Sequence, residues 1–232
     1  MKILRRVLLI IILLISFVIG VFTALGYFEY EKALEAEPLD IKVSSIKQKN
    51  NYATLNEMPK MYLDAVIAAE DRRFYLHNGV DVISILRAII NDIRFMKLAE
   101  GGSTITQQLC KNIYFTQRRE LTRKIAEIFM AVTLEKYYSK NDILEMYLNT
   151  SYFGDGYYTA KEACMGYFNK ELKDMTDYEC IMLAGIPNAP SVYAPTKNPE
   201  LTKQRQRQVA EKMVKYKYLT ESQMDQILLE KN

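Results

Sequence analysis

The first segment whose residues could do chemistry is Glu70–Phe74, which reads EDRRF and closes an apolar run at 65–69. A carboxylate at the end of an apolar helix can lie partly desolvated on the floor of a cleft, and desolvation raises the pKa of a carboxyl group. Glu70 would then be suited to take a proton from a substrate. A surface glutamate paired with Arg72 or Arg73 would give the same pattern, and spacing alone favours that simpler interpretation.

A second segment, residues 101–112, combines two glycines with uncharged hydrogen-bond donors. The glycines allow a close approach of the backbone to a ligand, and Ser103 is the predicted N-cap of the helix that follows. Side chains able to bind sugar hydroxyls or phosphate oxygens are Ser103, Thr104, Gln107, Gln108 and Lys111. A capped helix with a polar, solvated face would use similar residues, so both interpretations stay open.

The third segment is basic. Between positions 111 and 127 there are five cations and two acids. Arg119, Arg123 and Glu127 follow each other at four-residue spacing, on one face of a helix. Such a stripe could hold a diphosphate and place a second carboxylate beside it. The alternative is a helix stabilised by Arg–Glu pairs worth about 0.3–0.5 kcal/mol each, and spacing alone favours this alternative.

The elements that must position these residues are helices. Apolar residues recur at spacings of three and four, which predicts helices over 61–70, 81–96, 103–110, 119–138, 141–149, 157–168, 176–186, 199–217 and 221–229. Thr176 and Thr220 are predicted N-caps. Three prolines within Ile186–Pro195 predict a loop there, because proline does not propagate a helix. No alternating pattern indicates a large sheet.

The N-terminus reads as a membrane anchor. Residues 7–28 form 22 positions without a charge, and a helix of that length spans about 33 Å, enough for a bilayer. Lys2, Arg5 and Arg6 precede it, which predicts a cytoplasmic N-terminus. A cleaved signal peptide, with a small-x-small site at Ala24–Gly26, is the alternative, and a buried soluble helix is a third. The predicted organisation is a cytoplasmic end at 1–6, an anchor at 7–28, a stalk at 29–57 and a catalytic domain at 58–232.

Composition excludes several classes of protein. The net charge of the 232 residues is +3, and it arises before residue 7, so a basic nucleic-acid-binding domain is disfavoured. The chain has one histidine and three cysteines, with no CxxC pair. These residues cannot form the usual kinds of zinc site, and the cysteines are predicted to be buried free thiols. Ser44–Lys47 has the SxxK spacing of penicillin-type enzymes, but neither SDN nor KTG follows, so this match is ascribed to chance.

Taken together, the motifs resemble those of the peptidoglycan glycosyltransferases, glycosyltransferase family 51. The matching blocks occur in order over roughly residues 58–217. They are EDxxFxxHxG at 70–79, GSTITQQLxKN at 102–112, RKxxE at 123–127, KxxILExYLN with YFG at 140–154, and LAGxP with APSxYxP at 183–195. Because no transpeptidase motif follows, the chain resembles the monofunctional members of the family.

This resemblance implies a mainly α, lysozyme-like fold of two lobes, preceded by one transmembrane helix, with part of the domain at the membrane surface. It implies a reaction in which lipid II and a lipid-linked glycan chain are joined by β-1,4 bonds and undecaprenyl diphosphate leaves. The expected location is the bacterial cell membrane, with the catalytic domain outside the cytoplasm. Other cell-wall synthesis or division proteins are candidate partners, and nucleic acid is not.

The resemblance also implies roles for single residues. Glu70 would be the base, Glu127 the second essential acid, and Lys111 and Arg123 the diphosphate ligands. Arg87, Arg119 and Lys124 are further candidates for phosphate contacts. Ser103, Thr104, Gln107 and Gln108 would line the donor site, while the cleft would be shaped by Asp71, Phe74, His77 and Asn112. No cofactor is required, although Mg²⁺ or Mn²⁺ is compatible with the family.

Two rival hypotheses are a lysozyme-like glycan hydrolase and a non-catalytic membrane scaffold for cell-wall synthesis. The hydrolase would not need the cations at Lys111 and Arg123, and the scaffold would not need the two carboxylates. The resemblance favours the glycosyltransferase, and it implies inhibition by moenomycin, a mimic of the lipid-linked donor.

Overall fold

The computed structural model of the chain describes residues 2–95, 102–115 and 120–229. The predicted mainly α class is confirmed, since within these ranges β structure is limited to two isolated bridges. The helices are α1 (Lys2–Ala36), α2 (Leu39–Lys47), α3 (Lys60–Glu70), α4 (Val82–Phe95), α5 (Ile105–Tyr114), α6 (Leu121–Tyr137), α7 (Lys140–Leu148), α8 (Ala160–Phe168), α9 (Asp177–Gly185), α10 (Pro190–Tyr193), α11 (Pro199–Lys215) and α12 (Glu221–Leu229).

Helix α1 is long and apolar enough to cross a membrane. Its segment Ile3–Ala36 has a best 18-residue window of mean hydropathy 3.1, and that window is not buried against the rest of the chain. The helix continues past Phe28, where the charge-free run ends, to Ala36. Residues 29–36, assigned to a stalk from the sequence, are therefore part of the same helix.

The remainder of the predicted stalk is bonded to the body of the protein. Helix α2 buries Val43 and Ile46, and Lys47 forms a 2.9 Å ion pair with Asp142 of α7. The backbone N–H of Ala53 donates to the Oδ1 atom of Asn149 over 2.9 Å. These contacts attach the connection to α7 at several points, so it lies on the body of the protein rather than apart from it.

The core brings together helices that are far apart in the sequence. Helix α3 packs against α9 and α11, while α5 packs against α6 and α7. The three cysteines are free and buried, as predicted. This packing brings the end of α3, the polar face of α5 and the basic face of α6 close enough to interact, and these elements carry the residues selected from the sequence.

Helix starts follow the capping residues. Thr176 accepts a hydrogen bond from the N–H of Glu179, and Glu179 accepts one from the N–H of Thr176, which confirms the predicted cap of α9. Thr220 exchanges the same pair of bonds with Gln223 at the start of α12. Helices α5 and α8 begin two and three residues later than predicted, because Thr104 and Thr159 are their N-caps.

The segment Ile186–Pro195 differs from the predicted loop. It contains a short 3₁₀ turn at Ile186–Asn188 and the four-residue helix α10, both with a proline in the first turn. Proline is tolerated there because its missing N–H would have no partner within the helix. The prolines therefore limit the length of these helices without preventing them.

Candidate active site

Glu70 is the last residue of α3, and its side chain is only 6% exposed. Its Oε2 atom accepts a 2.8 Å hydrogen bond from the Nε2 atom of Gln108 on α5. Tyr147 donates in turn to the Oε1 atom of Gln108 over 3.3 Å. The opposite carboxylate oxygen of Glu70 lies 3.7 Å from a guanidinium nitrogen of Arg205. Glu70 is thus held in a fixed orientation inside the protein, unlike the surface glutamate considered as the alternative.

The neighbouring Asp71 joins the end of α3 to the start of α5. It is the C-cap residue of α3, and its Oδ2 atom accepts a 3.1 Å hydrogen bond from the backbone N–H of Ile105. The same oxygen lies 2.9 Å from the Nε2 atom of His77. Both Asp71 and His77 are buried. Because a buried carboxylate needs such partners, Asp71 fixes where α5 begins relative to Glu70.

The start of α5 differs from the prediction in one respect. Thr104, not Ser103, is the N-cap, and it forms a capping box in which Thr104 and Gln107 exchange two hydrogen bonds of 3.1 Å. Both side chains are buried, at 2% and 1% exposure. These bonds use the Thr104 hydroxyl and the Gln107 side-chain oxygen to hold the start of the helix. The other two side chains predicted to line the donor site, Ser103 and Gln108, are partly exposed.

Gly79 also helps to hold the start of α5. Its φ of +87° belongs to the left-handed region, where a Cβ atom is disfavoured, and a Cβ there would lie 2.8 Å from the backbone carbonyl of Ala131 on α6. Its carbonyl accepts a 2.6 Å hydrogen bond from the hydroxyl of Thr104. The glycine therefore lets the chain pass close to α6 while holding the cap of α5.

Replacing Gly79 by alanine should destabilise the protein through both the backbone strain and the clash with α6. We expect the melting temperature of the detergent-solubilised chain to fall by several degrees, since strain of this kind costs about 1–3 kcal/mol. Gly156→Ala is the matched control, because Gly156 has the same φ of +87° but nothing within 4 Å of its added Cβ. Equal melting temperatures for the two variants would show that the contact with α6 has no consequence.

The cations lie on α5 and on the first turns of α6. Glu127, which is 1% exposed, forms ion pairs with both Arg123 and Lys124, the latter at 2.9 Å. The ammonium of Lys124 also donates to the hydroxyl of Ser103 over 2.6 Å. Because Ser103 precedes α5 and Lys124 lies on α6, this bond connects the two segments.

Lys111 lies close enough to these groups to be affected by their charges. Burial lowers the pKa of its ammonium, the Arg123 guanidinium lowers it further, and the Glu70 carboxylate opposes the change. Burial also lowers the pKa of Lys124 to about 8, with Arg123 and Lys111 contributing. Three cations therefore occupy one partly buried region, and Glu127 is paired with two of them. Such a region favours a bound anion.

The structure also describes most of the other residues predicted from the sequence. Phe74 is buried, with the Lys140 ammonium 4.5 Å from its ring centre, and Asn112 is partly exposed on α5. Arg87, on α4, donates to the hydroxyl of Ser84 over 3.0 Å. Arg119 lies outside the described residues. Within those residues, no group of three or more His, Cys, Asp or Glu side chains could hold a metal ion.

Two residues of this site were missed from the sequence, Arg205 and Tyr147. The Arg205 side chain is 9% exposed, and its Nε atom donates to the carbonyl of Gly185 over 3.2 Å. A signal was present, because Arg205 lies at helical spacing from the buried Val209 and Met213 and is thus a cation on an apolar face. Tyr147 looks like an ordinary core tyrosine in the sequence.

A comparison with known protein families shows which family the chain belongs to. The sequence model described as Transglycosylase matches residues 40–214, which is most of the chain. The chain belongs to the transglycosylase family. The matched part of this transglycosylase contains α3, α5 and α6 and hence both carboxylates and the cation cluster.

Known relatives are longer proteins. The transglycosylase is 48% identical to penicillin-binding protein 1F of Bacillus subtilis over 165 residues, which are 71% of this chain and 23% of that protein. It is 40% identical to penicillin-binding protein 1A of Neisseria lactamica over 209 residues, covering 89% of this chain and 26% of that protein. The chain thus spans about a quarter of the length of these curated relatives.

A solved structure was also found. The crystal structure of penicillin-binding protein 1A from Haemophilus influenzae superposes with a TM-score of 0.48 and 21% identity, covering 78% of this transglycosylase and 17% of that chain.

Proposed function

We propose that this transglycosylase polymerises lipid II into β-1,4-linked glycan strands and releases undecaprenyl diphosphate. The observation that supports it best is the difference between the two carboxylates. Glu70 is held by an amide, while Glu127 is paired with two cations of a three-cation cluster. One carboxylate can thus serve as a base, and the other belongs to an anion-binding group. Membership in the transglycosylase family supports the same reaction class.

Glu70 would take the proton of the 4-hydroxyl of the acceptor GlcNAc. The freed oxygen then forms a bond to C1 of the donor MurNAc, while the bond from C1 to the diphosphate oxygen breaks and the configuration at C1 inverts. This is the logic of an inverting glycosidase, with a sugar hydroxyl in place of water. The hydrogen bond from Gln108 would keep one carboxylate oxygen fixed while the base accepts the proton.

Lys111, Arg123 and Lys124 would bind the departing diphosphate. Negative charge grows on this group as the bond to C1 breaks, and fixed cations stabilise such charge without having to reorient. Burial lowers the pKa of the Lys111 and Lys124 ammonium groups, and the neighbouring Arg123 guanidinium lowers both further. A bound diphosphate would favour the charged forms of both groups. The steps proposed here are assigned to side chains, and participation of Mg²⁺ or Mn²⁺ is compatible with them.

Glu127 would act by orienting the cations rather than by touching the sugar. Its two oxygens are directed to Arg123 and Lys124, and its side chain is almost fully buried. A carboxylate so engaged is a poor proton donor or acceptor for a substrate. Its charge instead sets the positions of two diphosphate ligands on one helix face.

Helix α1 would anchor the enzyme in the bacterial cell membrane. The positive charges before the apolar run support a cytoplasmic N-terminus, which would place the body on the opposite side, where peptidoglycan is built. Lipid II and the lipid-linked glycan would then reach the site from the membrane. Other cell-wall synthesis proteins would be partners at this location.

Polymerase activity is tested by incubating the detergent-solubilised full-length chain with radiolabelled lipid II and separating the products on a gel. A ladder of lipid-linked glycan strands is expected. Cleavage of added finished glycan would instead favour the hydrolase, and an intact chain that makes no polymer would favour the scaffold.

The affinity for a phosphate-bearing ligand should fall as the pH rises through about 8. The pKa of Lys124 is lowered to about 8 from 10.5, so the free site loses this positive charge above pH 8. We expect the affinity for moenomycin, measured between pH 6.5 and 9.5, to drop by up to about tenfold per pH unit above 8 in the wild type. Lys124→Arg should show a flatter profile because arginine stays charged. An equal loss of moenomycin affinity above pH 8 in Lys124→Arg and in the wild type would show that another group causes the pH dependence.

The stability of the free enzyme should change in the opposite direction. Between about pH 8 and 10.5 the unfolded chain binds more protons at Lys124 than the folded chain does, so this group's contribution to stability rises with pH.

A further inference from the structure

The second half of α1 is docked on α6, the helix that carries Arg123, Lys124 and Glu127. Gly26 of α1 is buried against α6, and a Cβ atom there would lie 2.5 Å from the Cγ2 atom of Ile125 and 2.9 Å from the carbonyl oxygen of Thr122. The backbones therefore approach as closely as glycine allows. Small residues permit this kind of close packing between helices.

Aromatic and polar contacts extend the same interface. The ring of Tyr27 meets that of Phe129 edge to face, with centroids 5.2 Å apart, and Tyr30 lies 5.9 Å from the same ring. The hydroxyl of Tyr30 is 2.9 Å from the hydroxyl of Thr133. Contacts that begin at Gly26 thus continue along α6 for almost three turns.

This docked face is distinct from the face that carries the charges. Thr122, Ile125, Phe129 and Thr133 follow each other at spacings of three and four, which defines one stripe along α6. Arg123 and Glu127 belong to another stripe of the same helix and pair with each other. A change in the position of α1 would therefore move the charged stripe without touching it directly.

Residues that follow α1 also contact α5. The hydroxyl of Tyr114, the last residue of α5, donates to the carbonyl of Glu37 over 3.1 Å. The ammonium of Lys42 lies 5.6 Å from the centre of the Tyr114 ring. Lys111 lies one turn before Tyr114. Both helices of the cation cluster are thus in contact with the end of the apolar helix or the turn that follows it.

The depth of the docking point fits a lipid-linked substrate. From Arg6, the last charge before the apolar run, to Gly26 a helix rises by about 30 Å, which is the thickness of the hydrocarbon core of a bilayer. Gly26 would then lie at the outer boundary of the membrane. The diphosphate of a lipid-linked sugar lies at that level, because its charge stays in the polar headgroup region.

We propose that α1 is a positioning element of the active site, in addition to its role as an anchor: the contact of Gly26, Tyr27 and Tyr30 with α6 holds the Arg123–Glu127 stripe at the depth of the substrate diphosphate. This proposal rests on the proposed polymerase function. The Transglycosylase match begins at residue 40, so it does not include the α1 side of this interface.

The test compares Gly26→Leu with Gly20→Leu in the full-length chain, reconstituted in vesicles of phosphatidylglycerol and phosphatidylethanolamine. A Cβ added at Gly20 meets nothing within 4 Å, so both variants add the same bulk to the same helix and only one disturbs the interface. Polymerisation of lipid II should fall at least about tenfold in Gly26→Leu, because misplacement of reacting groups by about 1 Å can cost roughly 10²-fold. It should stay within about twofold of wild type in Gly20→Leu.

Hydrogen exchange supplies a readout that needs no substrate. Amides of α6 should exchange faster in Gly26→Leu, while those of α9 should not change, which also reports that the body is folded. Tyr30→Phe removes only the hydrogen bond to Thr133 and should accelerate amide exchange near the end of α6. It replaces Gly26→Leu in this measurement if Gly26→Leu does not accumulate in the cell.

Equal activity of Gly26→Leu and wild type would overturn the proposal, as would equal losses in both leucine variants. A wild type that makes no polymer would overturn the proposed function instead. In that case unchanged exchange of α6 in Gly26→Leu would also reject the docking contact.

Discussion

Replacing Glu70 by glutamine should reduce the rate of lipid II polymerisation by roughly 10²–10⁴-fold, the range that a positioned general base contributes. The replacement keeps the size of the side chain and an oxygen that can accept the hydrogen bond from Gln108. It removes the ability to accept a proton at this position, together with the negative charge that faces Arg205. The rate is measured with radiolabelled lipid II on the purified full-length chain.

Two further measurements show whether the loss is chemical. Glu200→Gln, at an 82% exposed side chain of α11, should keep wild-type activity and controls for the change in net charge. Binding of moenomycin by Glu70→Gln should remain close to that of the wild type, because the cations are untouched. Polymer made at the wild-type rate by Glu70→Gln would eliminate Glu70 as the base.

Replacing Glu127 by glutamine should affect both stability and activity. The change leaves Arg123 and Lys124 without their shared carboxylate, next to the cation of Lys111. We expect the free energy of unfolding to fall by about 3 kcal/mol, the lower end of the range for removing one partner of a buried ion pair, because the Lys124 side chain is 37% exposed. Polymerisation should fall by roughly 10²-fold as the cations lose their orientation.

Glu179→Gln is a closely matched control for this variant. Glu179 is buried and pairs with Lys170, whose side chain is 36% exposed, but the pair lies at the start of α9. It should lose a similar amount of stability while the folded enzyme keeps its activity. If Glu127 orients the cations, moenomycin should bind more weakly to Glu127→Gln than to Glu179→Gln. Equal binding by the two variants, with polymerisation lost only in Glu127→Gln, would instead indicate that Glu127 acts directly on the sugar.

Much of the fold could be predicted from local patterns. Hydrophobic spacing located α3, α6, α7, α9 and α12 to within a residue or two of their observed bounds. This was possible because helical periodicity is visible within a few consecutive turns of the sequence. Thr176 and Glu179 formed the predicted capping box for the same reason. The start of α5 was misassigned to Ser103, although the spacing from Thr104 to Gln107 also fits a capping box.

The motifs selected both carboxylates and the main cations, but only the packing assigned their partners. Nothing in the segment at 70–74 indicates that Glu70 meets Gln108 and Arg205 instead of its neighbours Arg72 and Arg73. Likewise, only the structure shows that Thr104 and Gln107 bond to each other in a capping box and that both side chains are buried.

The sequence by itself determined the helical class, the apolar N-terminal helix and the identity of the chemical groups. The tertiary structure alone decided that Arg205 faces Glu70, that residues 29–57 lie on the body of the protein and that Gly26 docks on α6. The physical reason is the separation along the chain over which each effect acts. Propensity, capping and periodicity act between residues a few positions apart, whereas Tyr30 and Thr133 are 103 residues apart and meet only because the faces of α1 and α6 fit together.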